Sequence, residues 1–82
     1  SFDAIFCNLD YKLHKSVDVV KLLFEHSHNQ TFWLMMNIDK NKSAKAIWRK
    51  IKTDERTRLT FDRKHVGIVI LNSEYHKLNY LI

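Results

Sequence analysis

The sequence predicts a mainly α domain with one small β-hairpin, an α+β fold class, and three observations lead to it. The chain has 82 residues, which fits one domain with a thin core, so we expect residues 1–82 to form a single domain. One Gly and no Pro leave few residues for tight hairpin turns, which argues against a many-stranded all-β fold. Apolar residues recur at helical spacing behind serines that favour helix starts, and one late segment is rich in β-branched residues.

The first half of the chain predicts two helices and one ambiguous segment. In residues 2–14 the apolar side chains form one helical stripe, with Ser1 as the expected N-cap. Residues 16–28 are apolar around most of the helix circumference, as in a central helix, and begin at Ser16. Residues 31–38 are almost wholly apolar, so they form either a helix or the central strand of a small α+β domain.

The second half predicts a cationic helix, the hairpin and a short final helix. Residues 43–53 carry an apolar face opposite a face of Lys and Arg, with Ser43 as the expected N-cap. Residues 57–71 form the hairpin around a polar turn at 62–65, and Gly67 marks either a bulge or a close backbone approach. Ser73 begins the final helix, which carries apolar residues to Ile82.

Positive charge is concentrated in one stretch of the chain. The net charge is +5, but residues 40–64 alone carry ten Lys or Arg against three acids, a net of +7. The rest of the chain is therefore slightly acidic. A basic stretch on a near-neutral body is typical of a protein that binds a polyanion.

Several classes of protein and site are excluded or disfavoured. A single Gly rules out Gly-rich phosphate loops, and a single Cys rules out an internal disulfide. No run is apolar enough to span a membrane, and the acidic N-terminal region does not resemble a signal peptide. His26 and His28 are a weak metal pattern, which we interpret as residues at a helix C-terminus. We expect no metal or other cofactor, no small-molecule site and no catalytic residues, hence no enzyme.

The order of elements resembles a winged helix-turn-helix. Residues 34–51 (LMMNIDKNKSAKAIWRKI) are similar to the two-helix unit of such regulators. The step KAI at 45–47 and the run IVILNS at 68–73 resemble small regulators of the multiple-antibiotic-resistance type and their staphylococcal relatives. This resemblance covers residues 31–78. It implies that helix 43–53 enters the DNA major groove and that hairpin 58–71 is the wing.

These observations predict a small sequence-specific regulator of transcription or replication that binds duplex DNA. Arg49 is the best candidate for a bidentate guanine contact, while the residues of the hairpin turn would meet phosphates or the minor groove. The candidate nucleic-acid-binding residues are Asn41, Lys42, Ser43, Lys45, Arg49, Lys50, Lys52, Arg58, Arg63, Lys64 and His65.

Other hypotheses remain open at this point. The basic face either binds nucleic acid or docks an acidic protein partner, as in a small inhibitor or adaptor. An RNA or single-strand binder is favoured if residues 31–38 form a central strand. The apolar stripes of residues 2–13 and 75–82 either pack together or form a homodimer contact. We expect a cytoplasmic, nucleoid-associated protein of phage or plasmid origin, or a nuclear one in a eukaryote or virus.

Overall fold

The protein is built on a mixed five-stranded sheet with two helices. The computed structural model describes residues 3–10 and 18–82. Its elements are β1 (Asp3–Asn8), α1 (Val19–Glu25), β2 (Thr31–Met36), α2 (Lys42–Thr53), β3 (Leu59–Arg63), β4 (Val66–Ile70) and β5 (Leu78–Leu81). The mainly α fold class and the winged helix-turn-helix are therefore wrong, because the segment before α2 is a strand and not a helix. The alternative of a small α+β domain with a strand within 31–38 agrees with β2, an interior strand.

The strands lie in the order β1-β2-β4-β3-β5. β1 and β2 are parallel and are connected through α1, whereas β4 lies antiparallel between β2 and β3. β5 adds to the far edge, parallel to β3. The predicted hairpin is confirmed as β3–β4, but its strands lie inside the sheet, so it is not a projecting wing.

Two predicted helices are strands, and the other two begin at different residues. Residues 3–8 of the predicted helix 2–14 form β1, and the helix predicted from Ser73 is replaced by β5. α1 begins after Asp18, whose side chain accepts from the backbone N–H of Lys21. α2 begins after Asn41, not Ser43. Phe2, residues 11–14 and the expected caps Ser1 and Ser16 lie outside the described residues.

Both helices cover one face of the sheet and bury the core against it. Trp33, Met35 and Val69 on this face are fully buried. The indole ring of Trp33 packs edge-on against the ring of Phe24, with 4.8 Å between the ring centroids. The Nε1–H of Trp33 donates a hydrogen bond to Oγ of Ser27 at 2.9 Å. The apolar residues of the two helices complete this core: Val19, Val20, Leu23, Ala44, Trp48 and Ile51.

Gly67 lies where α2 comes closest to the sheet. A Cβ atom built on Gly67 would lie 2.6 Å from Cζ2 and 2.9 Å from Cζ3 of Trp48, inside van der Waals contact. The strand pairing continues on both sides of Gly67, to Met35 and to Asp62, so no bulge is present. Of the two roles considered for this residue, the close approach is therefore confirmed.

The second face of the sheet is not covered by any described helix, and we call it the open face. Side chains of directly paired residues share a face, so the strand pairing identifies its members. They are Ala4, Phe6, Asn8, Phe32, Leu34, Met36, Leu59, Phe61, Arg63, Val66, Ile68, Ile70, Leu78 and Tyr80.

Candidate nucleic-acid interface

Helix α2 turns an apolar side to the sheet and a cationic side to solvent. Ala44, Trp48 and Ile51 are buried, whereas Lys45 and Arg49 are exposed between them on the outer side. The sequence produces this because the apolar residues recur at intervals of three or four. Asn41 holds the start of the helix by accepting from the backbone N–H of Ala44 at 2.8 Å.

The turn between β3 and β4 lies beside this helix. The backbone carbonyl of His65 accepts from the N–H of Ile38 at 3.1 Å, which joins the turn to the loop after β2. Lys64 adopts a φ of 51°, the left-handed conformation that a two-residue hairpin turn requires and that Gly usually supplies. The turn comprises residues 64–65 and is shorter than the predicted 62–65.

A basic cleft lies between α2, the turn and the loop after β2. Its volume is about 210 Å³. We define it by its lining residues: Ile38, Asp39, Lys45, Trp48, Arg49, Lys52, Asp62 and Lys64. Helix α2 supplies three cations and the turn supplies Lys64, so four cations line one concave surface.

The inner acid of the basic cleft is engaged in the fold. One carboxylate oxygen of Asp62 accepts from Nε1 of Trp48 and from Nζ of Lys52, both at 2.9 Å. Its side chain is only 12% exposed. Lys52 therefore forms an ion pair with Asp62, and this pair largely neutralises the charge of Lys52 within the cleft.

The outer acid of the basic cleft is engaged by the turn. Nδ1 of His65 lies 2.8 Å from Oδ1 of Asp39. This hydrogen bond lowers the pKa of the Asp39 carboxyl, and the positive charge of Lys45 lowers it further, so Asp39 is ionised at neutral pH. The pair holds the turn against the loop after β2.

Three cations of the basic cleft keep their charge available. No carboxylate of residues 3–10 or 18–82 lies within ion-pair distance of Lys45, Arg49 or Lys64. Both acids of the cleft already have other hydrogen-bond partners. A bound anion would therefore meet these three cations without first displacing an internal ion pair.

The remaining predicted site residues lie in several places. Lys42 and Ser43 are exposed on the first turn of α2, and Lys50 lies on its α1 side, 3.9 Å from Asp18. Arg58 and Arg63 are separated from the basic cleft. Arg58 lies at the opposite end of β3, and Arg63 belongs to the open face.

Sequence reasoning missed the two carboxylates of the basic cleft. Asp39 was assigned only to the two-helix unit at 34–51, and Asp62 only to the polar turn at 62–65 and to the charge total of residues 40–64. One weak feature of the sequence pointed to a structural role for Asp62. It lies near the end of a predicted strand that follows a helix with Trp48 on its apolar face. Its pairing with Trp48 and Lys52 depends on the position of α2 against β3, which the sequence does not reveal.

Comparison of the chain with protein-family models, curated proteins and solved structures finds no match. Neither described helix has the length and apolar character needed to cross a membrane. Within residues 3–10 and 18–82, no cluster of three or more His, Cys, Asp or Glu is arranged to hold a metal ion. We therefore infer the function from the residues of the basic cleft.

Removing one acid from the basic cleft is expected to strengthen polyanion binding. In Asp39→Asn the net charge of the cleft rises by one unit, and Lys45 loses its electrostatic interaction with the Asp39 carboxylate. We expect severalfold tighter binding to duplex DNA at low salt, with the gain shrinking as salt is raised. Fluorescence anisotropy across a salt series measures both effects. Glu55→Gln makes the same charge change outside the cleft, and an equal gain in both variants would contradict the assignment.

Proposed function

We propose that the protein binds nucleic acid by holding its phosphate backbone in the basic cleft and along the outer side of α2. The observation that carries this proposal is the convergence of Lys45, Arg49 and Lys64, each without an acidic partner among the described residues. Cations that contact phosphates release the counterions condensed on the nucleic acid, which is the main source of non-specific nucleic-acid affinity. The net charge of +5 adds attraction at long range.

Duplex DNA is the form that we propose first. The basic cleft has no exposed aromatic ring on which a base could stack, since Trp48 is only 5% exposed. The exposed aromatic rings of the strands belong to the open face instead. Strand β2 would favour an RNA or single-strand binder, but Lys45 and Arg49 lie on α2 beside the buried Trp48, which favours contact with a backbone over stacking. Arg49 is the residue that we expect to recognise a base, because its guanidinium can make a bidentate contact with guanine.

The test measures binding to duplex DNA, single-stranded DNA and RNA across a salt series. For the double variant Lys45→Ala, Arg49→Ala we expect the logarithmic salt slope on duplex DNA to fall by about 2, because each lost phosphate contact removes about 0.9. Affinity at low salt should fall at least about tenfold. Lys21→Ala removes an exposed helix cation from α1 and should leave the slope unchanged or nearly so.

Three outcomes decide the proposal. Saturable duplex binding that weakens in the double variant supports it. An equal effect of Lys21→Ala would show that only total charge matters and would contradict the cleft as the site. Absence of binding to all three nucleic acids at low salt overturns the proposal and leaves an acidic protein partner as the better interpretation of the same cations.

A further inference from the structure

The open face is apolar to an extent that a solvent-facing surface does not require. Of its fourteen strand positions, only Asn8 and Arg63 are not apolar. Phe6 is 72% exposed, and Phe32 and Ile68 near the middle of the sheet are each 37% exposed. Antiparallel sheets with one solvated face normally place polar residues there. The open face therefore has the composition of a buried surface.

The exposed apolar area is large for so small a protein. Tyr75 and Ile82 extend the open face beyond its strands, since each shares a shallow depression with Ile68. With roughly 200 Å² for a large side chain, the eight exposed large apolar residues of the extended open face present on the order of 800 Å². They are Phe6, Phe32, Met36, Ile68, Tyr75, Leu78, Tyr80 and Ile82. The largest patch on a typical monomer is about 300–600 Å², and a stable interface needs about 800 Å² from each partner.

The charge of the open face restricts the chemistry of its partner. Arg63 is its only charged strand residue, and Lys64 lies at its rim, in the same depression as Ile68. Two cations at one corner of the sheet are too few to hold a phosphate backbone or an acidic protein across the whole face. Four of its eight most exposed residues are aromatic (Phe6, Phe32, Tyr75 and Tyr80), but a base stacked on any of them would find few cations nearby for its phosphates. The partner must instead present an apolar, nearly uncharged surface of similar extent. A second copy of this chain presents such a surface.

We propose that two copies of the protein form a homodimer by packing their open faces together around a twofold axis. Two sheets packed in this way lie about 10 Å apart, with their side chains interdigitated, as in the core of a β-sandwich. The arrangement is isologous, because the same patch serves both copies. It buries little charge although each copy has a net charge of +5, since Lys45, Arg49 and Lys52 lie on α2, on the opposite side of the sheet, and Lys64 lies at the rim of the open face.

This contact differs from the one predicted from residues 2–13 and 75–82. β1 and β5 lie at opposite edges of the sheet, so the two stripes do not pack against each other within the described chain. Phe6 and Tyr75, Leu78 and Ile82 nevertheless contribute to the open face from its two sides. Residues 11–13 lie outside the described residues.

The experiment measures mass in solution without nucleic acid, so its outcome is independent of the proposed function. We expect the wild-type protein to have twice the chain mass by light scattering and to dissociate on dilution in sedimentation velocity. Ile68→Lys places a charge in the middle of the open face and should halve the mass. Leu22→Lys, at a similarly exposed residue of α1 (42% against 37%), should leave the dimer intact.

The opposite results are equally defined. A wild-type protein that stays monomeric across the whole concentration series overturns the proposal, as does an Ile68→Lys variant that remains a folded dimer. If Ile68→Lys weakens single-strand binding while the wild type is monomeric, the open face is a nucleic-acid surface and the proposal is wrong. If Ile68→Lys does not fold, the wild-type melting temperature decides. It rises with protein concentration for a dimer and is constant for a monomer.

Discussion

Gly67→Ala is expected to destabilise the protein by about 3 kcal/mol, the upper end of the usual cost of overpacking a core. The added Cβ would meet the six-membered ring of Trp48 at distances that real Cβ atoms do not adopt. The ring cannot move aside easily, because its Nε1 is hydrogen-bonded to Asp62 and α2 is packed on the sheet around it. Urea denaturation followed by circular dichroism measures the loss.

A double-mutant cycle separates this clash from other effects of replacing Gly. In a Trp48→Leu background the ring is absent, so Gly67→Ala should cost far less than in the wild type. A coupling of about 1–3 kcal/mol between the two positions is the expected result. Equal costs in both backgrounds would show that the contact with Trp48 is not the reason for Gly at this position.

Trp33→Ala is expected to be the most damaging of the substitutions considered, at about 4 kcal/mol. Trp33 is fully buried, and its ring holds α1 through Phe24 and Ser27. α1 has only seven residues and depends on packing for its stability. A domain of this size has a total stability of roughly 4–12 kcal/mol, so the variant should lose at least a third of it, and near the lower end of the range a large part of the population should unfold. Thermal and urea denaturation measure the effect.

Trp33→Phe is the matched variant, because it keeps an aromatic ring against Phe24 and removes the N–H that Ser27 accepts. We expect a loss of about 1–2 kcal/mol, since the lost hydrogen bond and the smaller ring each contribute. If Trp33→Ala cost no more stability than Trp33→Phe, the packing of α1 on this ring would not contribute to stability, contrary to what the structure implies.

The elements predicted correctly are those with an unambiguous pattern. α2 has a clear division between apolar and cationic faces, and β4 contains a β-branched run that favours a strand. The shortage of Gly was misinterpreted as a shortage of strands. Parallel pairs such as β1 and β2 are joined through helices and need no tight turn, and the single hairpin turn uses Lys64.

β1 and β5 were mistaken for helices because the open face is apolar. In β1, Ile5 and Cys7 face the helices, while Ala4 and Phe6 face outward and are also apolar. The alternation of polar and apolar residues that identifies a half-buried strand is therefore missing. The remaining spacing of Ile5, Phe6 and Leu9 coincides with a helical stripe.

The sequence predicted which cations form the candidate site but not how they are arranged. Lys45, Arg49 and Lys64 were identified from the charge of the stretch and the face of the helix. The direction of β3 carries Arg58 to the far end of the strand and turns Arg63 to the open face, where it shares a depression with Lys64 and not the basic cleft. Charge counting along the chain contains no information on that direction.

The place of β4 between β2 and β3 also determines how late the interior of the sheet can form during synthesis. Both neighbours of β4 precede it in the chain, so their facing edges leave the ribosome without a partner. The β2–β4 ladder then joins residues 30 to 38 positions apart. Pairing over such separations is slow, and unpaired strand edges invite association with other chains. The nascent protein thus passes through an interval, ending when residues 66–70 have emerged, in which the facing edges of β2 and β3 have no strand partner.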